Sequence, residues 1–336
     1  METGKISRAF FDERIATRLG TERDDVTIGP KYGVDFGVIS VADQAVVTAT
    51  DPVSVLPDLG FERAGEFAIE IVLSDIAVSG IPPTHLTVSF SLPPAMTDAE
   101  FDRLWGAIDA RCSELGVSIV TGHTARYAGA SFPWVGAATG IAVGDPGAIV
   151  RPDGARPGDD VIVTNGPAVE AVGLLTTLFP EAVSLSGETL ETAQARLDDV
   201  NAVEDALLAA AAGDVTAMHD ATEGGLVGAF AEMAEAAGVR FAIDIDAVPW
   251  RPGVETACEA LGMDPWQATT SGTLVIAVDP DDTDAVLDAL EERGTAVARV
   301  GQIESGSGIE LDGKAFEQPA GDSSWAVYER LLEASE

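Results

Sequence analysis

Two α/β domains, each a layer of helices on a sheet, are predicted by three features of the sequence. Most of the 336 residues alternate short β-branched apolar runs with longer segments of helical periodicity. One stretch near the middle, 144–158 (GDPGAIVRPDGARPG), is crowded with glycine and proline and follows neither period. An apolar content of 46% is enough for two cores of ordinary size. The predicted domains are therefore 1–148 and 149–336.

In order, the segment up to Leu19 mixes apolar and charged residues at helical spacing and stops at Gly20. Residues 26–37, VTIGPKYGVDFG, place glycines on both sides of a single acid, Asp35. Strand-like runs at 38–41 and 45–49 follow, the second ending at Thr50-Asp51-Pro52. An aspartate just past a strand end suits a ligand site, and Asp-Pro suits a turn for backbone reasons alone. Residues 65–80, GEFAIEIVLSDIAVSG, are apolar on most faces and read as a buried helix closed by glycine. Asp75 inside it is costly to bury without a partner.

A strand at 84–89 leads to a Thr97-x-x-Glu100 capping box. The helix it opens has an apolar face of Phe101, Leu104, Ile108, Cys112 and Leu115. A strand at 117–120 ends in Thr121-Gly122-His123-Thr124, and 135–143 is a further strand. The second half is expected to hold strands at 160–164, 241–245, 274–278, 296–303 and 309–311. Its helices are expected at 168–178, 193–212, 254–261, 282–293 and from 323.

Residues 218–230, MHDATEGGLVGAF, organise the rest: they read as a polar turn opening onto a helix that runs to 237. Free N–H groups at a helix start favour anions, and Gly224-Gly225 would let a phosphate approach the backbone. Asp220 beside such a site would repel a phosphate unless a cation lay between them, which implies bound magnesium if the turn is functional. The same Asp-x-x-Glu pattern is also an ordinary helix-start signature.

The formal charge of −37 is spread along the chain, with three lysines (Lys5, Lys31, Lys314) against sixteen arginines. Such self-repulsion is tolerable where salt screens it, so a salt-adapted, archaeal source is expected. No basic patch is available for nucleic acid. No run approaches the ~20 apolar residues of a membrane span and the N-terminus lacks a signal-peptide core, so a cytoplasmic protein is expected. Cys112 and Cys258 fall in apolar helical patterns and read as core residues. Three histidines without a Cys-x-x-Cys give no zinc site.

The Walker, Rossmann and nucleophile-elbow patterns are absent from the sequence. What remains is a set of acids in unusual settings, Asp35, Asp51, Asp75 and Asp220, with Glu223 close to the last. Such hard oxygen ligands suit magnesium shared with a nucleotide, and the four aspartates are expected to meet around one ion. The segments GPKYGVDFGVI, TATDP, EIVLSDIAVSGIPP, VTGHTA, NGPAVEAVGLL, MHDATEGGL and TTSGTLVIAV occur in an order that resembles the aminoimidazole ribonucleotide (AIR) synthetase superfamily over nearly the whole chain. Within it, the chain is most similar to the hydrogenase-maturation carbamoyl dehydratase branch. Thiamine-monophosphate kinase and selenophosphate synthetase belong to the same superfamily.

The resemblance implies a two-domain AIR-synthase-like fold. Its N-terminal mixed sheet would pair in a homodimer, and ATP would be held through Mg2+ near the junction of the halves. It implies Asp35, Asp51, Asp75 and Asp220 as metal ligands and Lys31, Gly122, Thr124, Gly224, Gly225 and Ser271 as cofactor contacts. His123, Glu170 and Glu223 are the implied catalytic candidates, with His219 a second histidine able to deprotonate an acceptor. The chain ends LLEASE where that dehydratase carries a C-terminal cysteine, and it lacks the N-terminal cysteine of selenophosphate synthetase, so neither chemistry is carried over. His123 stands where several relatives have an acid, and Ala125 follows Thr124.

The expected function is ATP- and magnesium-dependent activation of an oxygen on an acceptor by phosphoryl transfer. A thiamine-monophosphate-kinase-like phosphotransferase and a non-catalytic nucleotide-binding assembly factor are the alternatives.

Overall fold

The computed structural model describes residues 4–316 and 321–335. It divides into two compact units. One, called the N-terminal unit, holds Arg23–Gly29 and Asp35–Ile149. The other, the C-terminal unit, holds the chain up to Glu22, Pro30–Val34 and everything from Val150 onward. The opening of the chain, with α1 (Arg8–Phe10) and a π-helical turn at Phe11–Ile15, thus packs with the C-terminal unit.

The N-terminal unit is a six-stranded sheet with two helices. Its strands are β1 (Val26–Ile28), β2 (Gly37–Val41), β3 (Gln44–Ser54), β4 (Pro83–Leu92), β5 (Ser118–Arg126) and β6 (Trp134–Gly144), in the order β1-β2-β3-β6-β4-β5. Only β4 and β5 run parallel. α2 (Phe61–Ala77) and α3 (Asp98–Glu114) are its helices. The predicted capping box is present: Glu100 N–H donates to Thr97 Oγ1 and Thr97 N–H to Glu100 Oε2.

α2 begins four residues earlier than expected. Gly65 lies within the helix, where a Cβ would come within 2.7 Å of the Leu104 carbonyl oxygen, so this glycine marks close helix contact with α3. β3 runs straight through Asp51-Pro52, which were expected to form a turn. Its pairing with β2 ends at Thr48, so Pro52, which cannot donate, sits where the β2 side of the strand is open.

α2 and α3 cover one face of this sheet. Across the other face the register sets Thr50, Thr139, Thr87 and Thr121 side by side, with Thr50 Oγ1 2.8 Å from Thr139 Oγ1. By strand alternation, no residue on that face is Asp or Glu, in a chain with 56 of them.

The C-terminal unit is built on seven strands: β7 (Asp160–Thr164), β8 (Val215–Ala221), β9 (Arg240–Ile243), β10 (Thr273–Val278), β11 (Val297–Glu304), β12 (Gly308–Leu311) and β13 (Lys314–Phe316). Their order is β13-β12-β9-β11-β7-β10-β8, with only β12 and β9 parallel. Its helices are α4 (Val169–Leu178), α5 (Glu188–Gln194), α6 (Ala202–Ala212), α7 (Gly225–Ala237), α8 (Val254–Leu261), α9 (Thr283–Arg293) and α10 (Ser323–Ser335). α7 packs its Leu226, Phe230 and Met233 onto Val161, Val163, Val275 and Phe241 of the sheet. A second core joins α4, α8 and α10. No described helix is long and apolar enough to cross a membrane.

Two expectations fail here for tertiary reasons. The helix predicted over 193–212 is broken into α5, a 3-10 turn at Ala195–Asp199, and α6. Asp199 in the break takes a bidentate pair from Arg251 and a 2.7 Å contact from Arg196, and these contacts override the helical periodicity. The segment 218–221 is not a turn. It is the end of β8, buried at every position and paired with β10, with Leu274 opposite Asp220 and Val275 opposite His219. Its polar side chains masked a buried strand.

Candidate functional site

The most strained backbone in the C-terminal unit follows β7. Asn165 and Ala168 both adopt left-handed φ, 52° and 58°, and Gly166 between them has φ 86°. A Cβ on Gly166 would overlap the carbonyl oxygen of Pro249. Non-glycine residues in this region cost about 1–3 kcal/mol each and persist only where neighbours over-determine them. The neighbours are evident. Thr270 and Thr273 hydroxyls donate to the Gly166 carbonyl at 3.0 and 2.7 Å, Asn165 Nδ2 donates to Gly272 O at 2.8 Å, and Val169 N–H donates to Thr270 Oγ1 at 3.1 Å.

The strained loop aims the first turn of α4, and with it Glu170, at the loop before β10. Glu170 Oε2 accepts hydrogen bonds from Thr269 Oγ1 at 2.6 Å and from Ser271 N–H at 2.9 Å. Burial pushes its carboxyl above the ordinary range, the two hydrogen bonds oppose this, and the charge of Asp322 adds to it. Asp322 precedes α10 and accepts from Gly224 N–H at 2.9 Å, from Ser324 N–H at 2.7 Å and from the Ser324 hydroxyl. Its carboxyl is also raised by burial, against the hydrogen bonds it accepts. Two protonatable carboxyls therefore flank Thr269 within one unit. Carboxyls raised in this way are the type of group that general acid–base chemistry uses.

The turn after β8 completes this region. Gly225 N–H closes it onto Thr222 O at 3.0 Å, and a Cβ on Gly225 would lie 2.5 Å from Trp266 O. The Gly224 amide expected to cradle phosphate donates to Asp322. Glu223 accepts from the backbone N–H of Lys5. Asp220 is 2% exposed, and one of its carboxylate oxygens lies within 4.8 Å of a His219 ring nitrogen. Ser271 is buried, and Lys31 is exposed with its Nζ 4.0 Å from Asp153.

The remaining expected residues belong to the N-terminal unit. Asp35 lies in the loop before β2, Asp51 in β3 and Asp75 in α2, all half-buried. The fully buried acid of α2 is instead Glu70, bonded by Arg111 at 2.9 and 3.0 Å. Gly122, His123 and Thr124 were expected at the end of a strand; they are exposed residues within β5, an edge strand that runs on to Arg126. The pairing of Ser89 with His123 puts this histidine on the open face, with Gly122 and Thr124 on the other. His123 Nε2 lies 3.3 Å from the Tyr127 hydroxyl.

Sequence reasoning missed Asp322, Thr269 and Glu232. Asp322 had a signal, since Asp-Ser-Ser directly before a helix is a start pattern. Glu232 did too, as an acid in an otherwise apolar helical run. Thr269 had none.

Compared with known proteins, residues 33–142 match the N-terminal domain of AIR synthase related proteins and residues 156–314 match the C-terminal domain. The chain belongs to the AIR synthase related family. Among its relatives, carbamoyl dehydratase HypE of Rhizobium leguminosarum bv. viciae is 32% identical over 281 residues, covering 81% of this chain and 77% of that one. The crystal structure of E. coli HypE shares the fold with a TM-score of 0.71 and 25% identity, over 83% and 87% of the two chains. A HypE structure in complex with ATP gives 0.68 at 24% identity, over 93% and 91%. Within the AIR synthase related family the chain falls in the HypE-like branch.

Proposed function

We propose that the protein is an ATP- and Mg2+-dependent enzyme that transfers a phosphoryl group to an oxygen of an acceptor, with Glu170 moving the acceptor's proton. The observation that carries this is Glu170 itself: a buried carboxyl with a raised pKa, held by Thr269 and Ser271 and aimed by strained backbone. A carboxyl in that state can take up the proton the acceptor releases as its oxygen is phosphorylated, which for a carbamoyl group is an N–H proton. The ATP-bound HypE relative supports the nucleotide. The carbamoyl dehydratase relatives support an amide oxygen as the acceptor, because dehydrating a carbamoyl group requires its oxygen to become a leaving group, and phosphorylation makes it one.

The proposed magnesium ligands are Asp35, Asp51, Asp75 and Asp220. Their carboxylates are the hard oxygen donors that this ion takes. When bound, magnesium would neutralise phosphate charge. Gly224, Gly225 and Ser271 are proposed to bind the nucleotide, with Lys31, Gly122 and Thr124 as further contacts and Glu223 and His123 as further catalytic candidates. An uncharged sheet face in so acidic a chain supports a homodimer formed through the N-terminal unit, because only a face that pairs gains by excluding acids.

The test is ADP release from ATP with magnesium, with and without small carbamoyl compounds, in wild type and Asp220→Asn. Acceptor-stimulated ADP release in the wild type, with MgATP affinity lost in the variant, is expected. Unchanged MgATP affinity in Asp220→Asn would remove the metal assignment. Sedimentation as a monomer would remove the dimer.

A further inference from the structure

Glu232 lies on α7, two turns past the Thr222–Gly225 turn, with its side chain only 5% exposed. Three chain segments meet on it. His219 Nε2 on β8 is 3.1 Å from Oε2, and Lys5 Nζ donates to the two oxygens at 2.9 and 3.2 Å. The Tyr32 ring lies 5.2 Å from the same Lys5 Nζ, and a Cβ on Gly33 would press on the Glu232 stem at 2.8 Å.

Lys5 also donates its backbone N–H to Glu223, and Arg8 pairs with Glu235. Residues 4–8 therefore cross the turn held by three acids, Glu223, Glu232 and Glu235. Their one large apolar side chain, Ile6, is 40% exposed, so the charge pairs are the main fixings beside the close approach of Gly4 to the Trp325 ring. A segment fixed mainly by charge pairs can be released without uncovering a core, as a segment with buried apolar side chains cannot.

We propose that Glu232 is a positioning residue: its carboxylate latches the N-terminal segment across the Thr222–Gly225 turn and holds the His219 ring beside Asp220. The effect on nucleotide binding rests on the function proposed above; the latch itself does not. A structural ion pair alone would tie Lys5 to α7 and leave the turn indifferent to it. A latch makes the turn's mobility depend on Lys5.

The experiment uses the full chain as wild type, Lys5→Met, Lys5→Arg and Glu232→Gln, with amide hydrogen exchange followed over residues 4–12 and 220–228. Lys5→Met and Glu232→Gln are expected to speed exchange in both segments by about tenfold or more, and Lys5→Arg to restore protection. In calorimetry, Lys5→Met is expected to weaken MgATP by about fivefold or more, and Lys5→Arg to recover it. Exchange in 220–228 that ignores Lys5→Met overturns the latch, as does failure of Lys5→Arg to restore protection. Should Glu232→Gln fail to fold, Lys5→Met on the exposed segment still decides. A wild type that binds no MgATP removes the proposed function, while the exchange comparison continues to decide the latch.

Discussion

Replacing Glu170 in two ways separates its support of the fold from its chemistry. Glu170→Ala removes the acceptor of two donors, Thr269 Oγ1 and Ser271 N–H. The hydroxyl can turn elsewhere; the buried amide cannot. One stranded buried donor costs about 1–3 kcal/mol, and the lost side-chain volume adds to it, so roughly 2–4 kcal/mol of destabilisation is expected. Glu170→Gln keeps an acceptor oxygen in place and is expected to stay within about 1 kcal/mol of wild type near pH 5.

The pH dependence has a definite sign. A carboxyl whose folded pKa is raised favours the folded state while protonated. Its contribution is complete below the ordinary value of 4.5 and is lost as pH rises through the folded pKa. Glutamine never ionises, so Glu170→Gln should gain stability relative to wild type as pH rises above 4.5. Urea unfolding followed as a function of pH measures this directly. In ADP release the same variant is expected to lose about 10²-fold or more while still binding MgATP. A stability difference that is flat or reversed with pH, or a glutamine variant that releases ADP at the wild-type rate, would refute the role given to Glu170.

Three further outcomes are expected. Burial would push Glu232 up, but the hydrogen bond from His219 and the charges of Lys5 and His219 bring it down to about 2. Its contribution, ~3 kcal/mol, is present above pH 4.5 and lost as pH falls toward 2, so Glu232→Gln should flatten that part of an acid-unfolding curve. Arg111→Met should cost roughly 3 kcal/mol in chemical denaturation by leaving Glu70 buried without its guanidinium, and the double change with Glu70→Met should recover much of it. Gly166→Ala should destabilise the chain and slow turnover, since a Cβ there meets Pro249 O and φ is 86°; calorimetry and ADP release report the two effects separately.

Much of the fold could be read in the sequence where local signals and packing agree. The Thr97 capping box starts α3 where expected, and β7 and α8 lie on the residues their apolar patterns mark. The errors arose where long-range contacts decide. Asp199 interrupts a helical pattern because Arg251 and Arg196 reach it from elsewhere in the chain. His219 and Asp220 disguise a strand because their partners are distant in sequence. At the candidate site, Glu170 was singled out through resemblance, but its burial and its partners Thr269, Ser271 and Asp322 are set by segments about 100 and more residues further on. Acids in apolar helices proved informative as a class, with Glu70 and Glu232 more deeply enclosed than Asp75.

The allotment of residues 4–22 and 30–34 to the C-terminal unit has a practical corollary. Severing the chain in the glycine- and proline-rich stretch after β6 would separate Glu232 from Lys5, Tyr32 and Gly33, all of which precede the cut. The downstream piece would keep its sheet and both apolar cores yet carry an acid stripped of its cation. Supplying a peptide spanning residues 1–34 in trans should then raise its melting temperature, as a missing strand does for a split protein.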